Sequence, residues 1–419
     1  MSEHNMLEKG IALGPRKQTI GTLKIISEFS DIENITGGNI VYIPDSVSTK
    51  NNILLFYNLA KKEVGAILCE HLERTDHGVL LANELGIPCI SEISPELENK
   101  EGEKIIIQDN KIFSSDSIVS SIDRPDEFTF PDCSTKIKIN LGFPEVIRRQ
   151  PSITKISDGI GFMRLEFILL DILNNTHPKE YLKNRNKKEL ETQLADRIEP
   201  IVDAYTDPVW IRTDDFAVSH LKEMEGGERY ETQEENSALG WRGISRSIDD
   251  PFLYKIQIEA IKKLISRGYE NIGLFPPMTR FQTEFQEWKN FAMKKGLRNV
   301  SFGLMIETPS AALTFERFTD DIDFLVFGSN DLTQFTLAID RNNPKLQSKF
   351  DEKADAVLKL FDRVISIANK EDIETCIGGQ AASDEQLAKK LISFGIDSLS
   401  VNPDQKTISQ TRNFVNQAE

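Results

Sequence analysis

Residues 323–331 read D-F-L-V-F-G-S-N-D. A short apolar run closed by a glycine has the length of a strand, and its end carries Asn330 and Asp331. The same form recurs between residue 136 and the C-terminus in K-I-K-I-N-L-G, D-G-I-G-F-M-R, P-V-W-I-R-T, N-I-G-L-F-P-P, S-F-G-L-M-I-E, E-T-C-I-G-G-Q and D-S-L-S-V-N-P. Longer amphipathic stretches separate these runs, such as P-F-L-Y-K-I-Q-I-E-A-I-K-K-L-I-S-R-G at 251–268 and K-A-D-A-V-L-K-L-F-D-R-V-I-S-I-A-N-K-E-D at 353–372. Eight such β-then-α units over residues 137–419 predict an α/β fold of the (β/α)8 TIM-barrel type.

In a barrel of this kind the functional side chains gather at the C-terminal strand ends. Arg164, Arg212, Glu307 and the pair Asn330-Asp331 each follow an apolar run. One polar strand end is ordinary where a strand reaches solvent; four of them favour a site. Glu307 and Asp331 are hard oxygen donors on different strands and suit Mg²⁺, which takes few protein carboxylates beside water and substrate phosphate. Arg164, Arg212 and Arg341 add fixed positive charge, and guanidinium forks match phosphate and carboxylate. Such a set suits a phosphorylated, acidic small molecule, because phosphoryl transfer needs its developing charge clamped.

Residues 1–113 read as a smaller α/β unit. The runs T-L-K-I-I-S, N-I-V-Y-I-P, V-G-A-I-L-C-E and K-I-I-I-Q are strand-like, while residues 51–64 and 77–86 are helical in pattern. His77 opens the second helix just after V-G-A-I-L-C-E, with Thr75 or Asp76 as candidate caps. A helix N-terminus attracts an anion, and an imidazole there can accept a phosphoryl group and pass it on. The bland alternative is a polar histidine in a loop-to-helix turn. Residues 114–136 are rich in Ser, Asp and Pro and read as a linker, with a helical turn as an option.

Composition narrows the partners. The net charge of −16 over 419 residues argues against a nucleic-acid surface, and no apolar run nears the ~20 residues of a membrane helix. Four cysteines in so long a chain form no disulfide framework, and no C-x-x-C pair suggests zinc. The opening M-S-E-H-N-M-L-E-K-G lacks the apolar core of a signal peptide, so a cytoplasmic protein is expected.

The segments D-G-I-G-F-M-R-L-E-F, V-W-I-R-T-D-D-F, E-G-G-E-R-Y-E-T-Q-E-E-N-S-A-L-G-W-R-G-I-S-R, G-L-M-I-E-T-P-S-A-A-L, F-L-V-F-G-S-N-D-L-T-Q-F-T-L-A-I-D-R, G-G-Q-A-A-S-D and F-G-I-D-S-L-S-V-N-P-D follow in this order. Together they resemble the phosphoenolpyruvate-utilising enzymes, nearest to the C-terminal part of phosphoenolpyruvate synthase (pyruvate, water dikinase). The N-terminal unit is similar, more loosely, to that family's phosphohistidine swivelling domain, a β/β/α-type unit. The resemblance implies that His77 carries the phosphoryl group and that Arg164 and Arg212 bind the substrate phosphate, with Arg242 and Arg341 assisting. It implies Mg²⁺ on Glu307 and Asp331, and the substrate carboxylate on Gly328, Ser329 and Asn330. The family's ATP-binding domain is not in these residues, so a separate ATP-binding subunit is expected, as is a homodimer through the barrel.

Three departures from the family pattern stand out. The stretch before His77 is L-E-R-T-D-H where the family has G-G-x-T-S/C-H, and Asn83 replaces an arginine before E-L-G-I-P. Where the family ends a strand in G-I-C-G-Q, this chain has C-I-G-G-Q, so Gly378 holds the place of the thiol that protonates C3, and Cys376 the place of a glycine. Three functions follow: transfer between His77 and pyruvate or phosphoenolpyruvate, transfer to a different hydroxyl or enol for which Gly378 makes room, or a non-catalytic phosphoenolpyruvate-binding regulatory role.

Overall fold

In the computed structural model the apolar runs become strands of two separate sheets. The structure describes residues 6–13, 18–47, 53–72, 77–114, 128–341, 343 and 345–419. The chain divides into two units, Met1–Glu127 and Phe128–Glu419.

The first unit has strands β1 (Met6–Lys9), β2 (Ile11–Ala12), β3 (Thr19–Ile25), β4 (Ile40–Ile43), β5 (Ala66–Cys69), β6 (Cys89–Ser91), β7 (Lys104–Gln108) and β8 (Lys111–Ser114). They form one mixed sheet in the order β1-β8-β7-β3-β4-β5-β6-β2, with β3 to β6 parallel and the others antiparallel. Helices Ile53–Lys61 and His77–Glu84 lie between the parallel strands in sequence. Leu23, Ile40, Tyr42, Leu68, Ile105 and Ile112 belong to its core. All four expected strands are present. The short pieces β1, β2 and β8 carry too few residues to show a period.

The second unit is a closed parallel barrel of β9 (Lys136–Leu141), β10 (Ile160–Arg164), β11 (Val209–Arg212), β12 (Ile272–Phe275), β13 (Ser301–Ile306), β14 (Phe324–Gly328), β15 (Glu374–Gly378) and β16 (Ser398–Val401). β16 pairs with β9 and closes it. Every one of the eight expected runs supplies a strand. Alternate residues face opposite sides, so Val326 and Gly328, like Cys376 and Gly378, share a side. Phe327, of the other parity, packs edge-on against Phe361 of helix Asp355–Ala368, with ring centroids 5.0 Å apart.

Phe162, Trp210, Phe275, Met305, Phe324, Val326 and Cys376 form one buried cluster. Lys138 lies fully buried beside it. Its Nζ sits 3.2 Å from the Trp210 ring centroid and 2.8 Å from Glu374 Oε1, two contacts that offset desolvation of the ammonium. Gly161 leaves the space for Cys376, since a Cβ there would stand 2.8 Å from Sγ.

Of the expected linker, residues 115–127 lie outside the described residues. The remainder is not free chain. Ser409 Oγ donates to Thr129 O at 2.7 Å, Arg412 Nη1 donates to Pro131 O at 3.2 Å, and the Ser134 and Thr135 N–H groups donate to the Glu419 carboxylate at 2.9 and 2.7 Å. The barrel unit therefore begins at Phe128, ahead of the expected residue 137. Among the described residues no helix is long and apolar enough to cross a membrane.

Candidate active site

The C-terminal strand ends build a buried array of opposite charges. Arg212, the last residue of β11, donates through Nη2 to Glu166, and its Nη1 lies 3.2 Å from Asp215 Oδ2. Asp215 also accepts from Arg242, whose Nε and Nη2 reach its two oxygens at 2.8 and 2.5 Å. Arg242 Nη2 then stands 3.5 Å from Asp331 Oδ2, and Arg341 Nη1 lies 3.6 Å from Asp331 Oδ1. Thus Arg212, Arg242, Arg341 and Asp331 join in one chain of ion pairs. Arg164 ends β10 with its guanidinium carbon 4.3 Å from the Phe162 ring centroid; that of Arg212 is 5.0 Å from the same ring.

Glu307, one residue beyond β13, is 1% exposed and accepts a hydrogen bond from the Met278 N–H. It lies directly over Gly328, where a Cβ would meet Glu307 Cβ at 2.8 Å and Met305 Cε at 2.7 Å. Gly328 also caps helix Ser329–Leu337, which places Ser329, Asn330 and Asp331 on its first turn. Asp331 Oδ1 is buried and has no hydrogen-bond donor.

Burial sets the electrostatics, and neighbours decide the outcome. Burial and the carboxylates of Asp331 and Asp215 push Glu307 up to about 8, against the pull of Arg212 and Arg242. Asp215 feels the same burial, yet Arg242 and Arg212 hold it below the ordinary carboxylate value. Burial and Arg242 lower His220, with Asp215 opposing. Two buried carboxylates at neighbouring strand ends, one with an oxygen that accepts no hydrogen bond, form a donor set that fits a divalent cation.

Glu166, Asp215 and Phe162 were not singled out from the sequence. Two signals were available in R-L-E-F and R-T-D-D-F, where an acid follows each strand-end arginine by two or three residues. A buried guanidinium needs a counter-charge, and Arg212 takes Asp215 three residues on and Glu166 from beyond the neighbouring strand β10.

The end of β15 differs from the expectation that Gly378 leaves room for an acceptor. A Cβ at Gly378 would stand 3.1 Å from Phe162 Cδ1 and 3.3 Å from its Cβ and Cγ. The Phe162 side chain takes that space. Cys376 lies one pleat repeat below, fully buried, and burial raises its thiol to about 11 with Lys138 opposing. It stays protonated and away from the strand end.

In the first unit, His77 is the first residue of helix His77–Glu84, as the pattern predicted. Its side chain, together with Thr75, Asp76 and the rest of 73–76, lies outside the described residues.

The profile of the PEP-utilising enzyme, PEP-binding domain matches residues 125–419. The chain belongs to the PEP-utilising enzymes. It is 36% identical over 424 residues to a phosphoenolpyruvate synthase of Pyrococcus furiosus, covering 96% of this chain and 50% of that protein. Similarity to a probable phosphoenolpyruvate synthase of Archaeoglobus fulgidus is 32% over 436 residues, covering 100% of this chain and 55% of the relative. The phosphoenolpyruvate synthase of Escherichia coli is 29% identical over 446 residues, covering 98% and 54%. The chain spans about half the length of these curated relatives.

Proposed function

We propose that this member of the PEP-utilising family is a Mg²⁺-dependent phosphotransferase of the phosphoenolpyruvate synthase type, moving a phosphoryl group between His77 and pyruvate or phosphoenolpyruvate. The observation that carries it is the buried chain Arg212–Asp215–Arg242–Asp331–Arg341 beside Glu307. Arg164 and Arg212, set over Phe162, would take the substrate phosphate, with Arg242 and Arg341 assisting. Ser329 and Asn330, on the first turn of their helix, would take the carboxylate. Glu307 and Asp331 would hold the metal, which would supply positive charge against the charge developing on the substrate. The ATP that charges His77 would be handled by a module outside these 419 residues, and a homodimer through the barrel accompanies this reading by family resemblance.

Incubation with [32P]phosphoenolpyruvate and Mg²⁺ tests the reading. The expected result is an acid-labile, base-stable label on the chain that His77→Ala abolishes. Absence of label, or label retained in His77→Ala, would reject it. A second reading is favoured by one feature: with Gly378 and Phe162 at the end of β15 no thiol faces the substrate, which suits an acceptor hydroxyl or enol needing no C3 proton transfer.

A further inference from the structure

Asn140 is the next-to-last residue of β9 and is 1% exposed. Among the described residues, neither its Oδ1 nor its Nδ2 has a hydrogen-bond partner. An amide carries an acceptor oxygen and two N–H donors, and burying all of them unpaired destabilises the fold. A bound polar molecule would complete it.

Strand alternation sets the direction of this side chain. Asn140 shares a side of β9 with Lys138, whose Nζ lies against Trp210 of the interior cluster. It stands two residues nearer the C-terminal strand end, which is the mouth. On the neighbouring strand it pairs in register with Phe162, at a backbone spacing of about 4.8 Å. The Phe162 ring carries the guanidinium groups of Arg164 and Arg212. The unpaired amide therefore lines the wall beside the arginines of the mouth, and it is shielded no more than Glu307, also 1% exposed. Ser400 Oγ is a second buried atom without a partner among the described residues, but it lies deeper. Ser400 pairs in register with Lys138, and its Oγ faces Gly161 beside Cys376.

We propose that Asn140 is a substrate-binding residue of this mouth, donating through Nδ2 to the C2 oxygen of phosphoenolpyruvate or pyruvate. The inference rests on the phosphoenolpyruvate reading above. In phosphoenolpyruvate the C2 oxygen carries the phosphate, so a phosphate held by Arg164 and Arg212 brings that oxygen to the Phe162 side of the mouth. When the phosphoryl group passes to His77, the bond from phosphorus to the C2 oxygen breaks and its electron pair stays on the oxygen. The amide N–H meets that growing negative charge and gives up no proton.

The test is calorimetric titration of phosphoenolpyruvate, and separately of inorganic phosphate, into the whole chain with Mg²⁺. Asn140→Leu should weaken phosphoenolpyruvate at least about 10-fold. Inorganic phosphate, which has no C2 oxygen, should stay within about 2-fold of wild type. Leucine removes the unpaired atoms at similar volume, so the variant should melt at or above the wild-type temperature. Asn140→Ala repeats the measurement with a side chain that needs no new space. Ser400→Ala, which deletes the deeper unpaired hydroxyl, should bind phosphoenolpyruvate like wild type. Unchanged phosphoenolpyruvate affinity in both Asn140 variants overturns the proposal. So does a parallel loss of phosphate affinity, or an equal loss in Ser400→Ala. His77 labelling separates this claim from its parent: wild type that binds phosphoenolpyruvate but takes no label rejects phosphotransfer alone, whereas wild type that binds no phosphoenolpyruvate overturns both.

Discussion

β14 and β15 run side by side with Gly328 opposite Gly378, and the two glycines answer to different neighbours. At Gly328 the crowding atoms are Glu307 and Met305, so the missing side chain lets a carboxylate lie against the backbone. At Gly378 the crowding atom belongs to Phe162, so the missing side chain admits an aromatic ring that carries two arginines. One strand end is emptied to seat charge, the other to seat the support for charge. A small residue at a barrel rim is therefore not by itself a hole for a ligand.

Removing the charge chain should have the largest effect. Arg212→Met strands the buried Glu166 and leaves Asp215 to Arg242 alone, and should cost about 3–5 kcal/mol of stability in a urea titration. It should also weaken phosphoenolpyruvate binding by at least about 30-fold in calorimetry. Gly328→Ala comes next. Its Cβ must displace Glu307, costing about 1–3 kcal/mol, with Mg²⁺-dependent binding weakened about 10-fold.

Gly378→Cys should do less, because Phe162 needs to give by only a few tenths of an ångström. About 1 kcal/mol of destabilisation is expected. Combined with Phe162→Ala the same substitution should turn favourable, by a coupling of about 0.5–1 kcal/mol in a double-mutant cycle. Zero coupling would remove Phe162 as the reason for the glycine.

A pH-dependent effect lies just beyond the end of β11, at Asp214. Burial raises Asp214 from 3.8 to about 6, against its Gln257 hydrogen bond and Arg246. Folded protein then binds the proton more tightly than unfolded, so this contribution is full below pH 3.8 and is lost as pH rises to about 6. Asp214→Asn should remove that slope, worth about 1–3 kcal/mol at most, from chemical denaturation curves taken across the window.

Much of this was legible in the chain. All eight barrel strands showed as apolar runs, because a parallel strand covered by helices must be apolar on both faces. Arg212, Arg242, Glu307, Asp331 and Arg341 do meet at one mouth. The partners Asp215 and Glu166 were not read, since pairing between strand ends depends on side-chain direction rather than spacing. Nor was Phe162 against Gly378, a contact between residues over 200 positions apart in the chain. Residues 128–135 looked like linker because their ties to the barrel run through backbone groups, which composition does not show.

The most direct measurement is calorimetric titration of phosphoenolpyruvate into the whole chain with and without Mg²⁺, for wild type and Asp331→Asn. The account predicts binding at least about 10-fold tighter with Mg²⁺ in wild type and no such difference in Asp331→Asn. Equal affinity with and without the metal in wild type would contradict it.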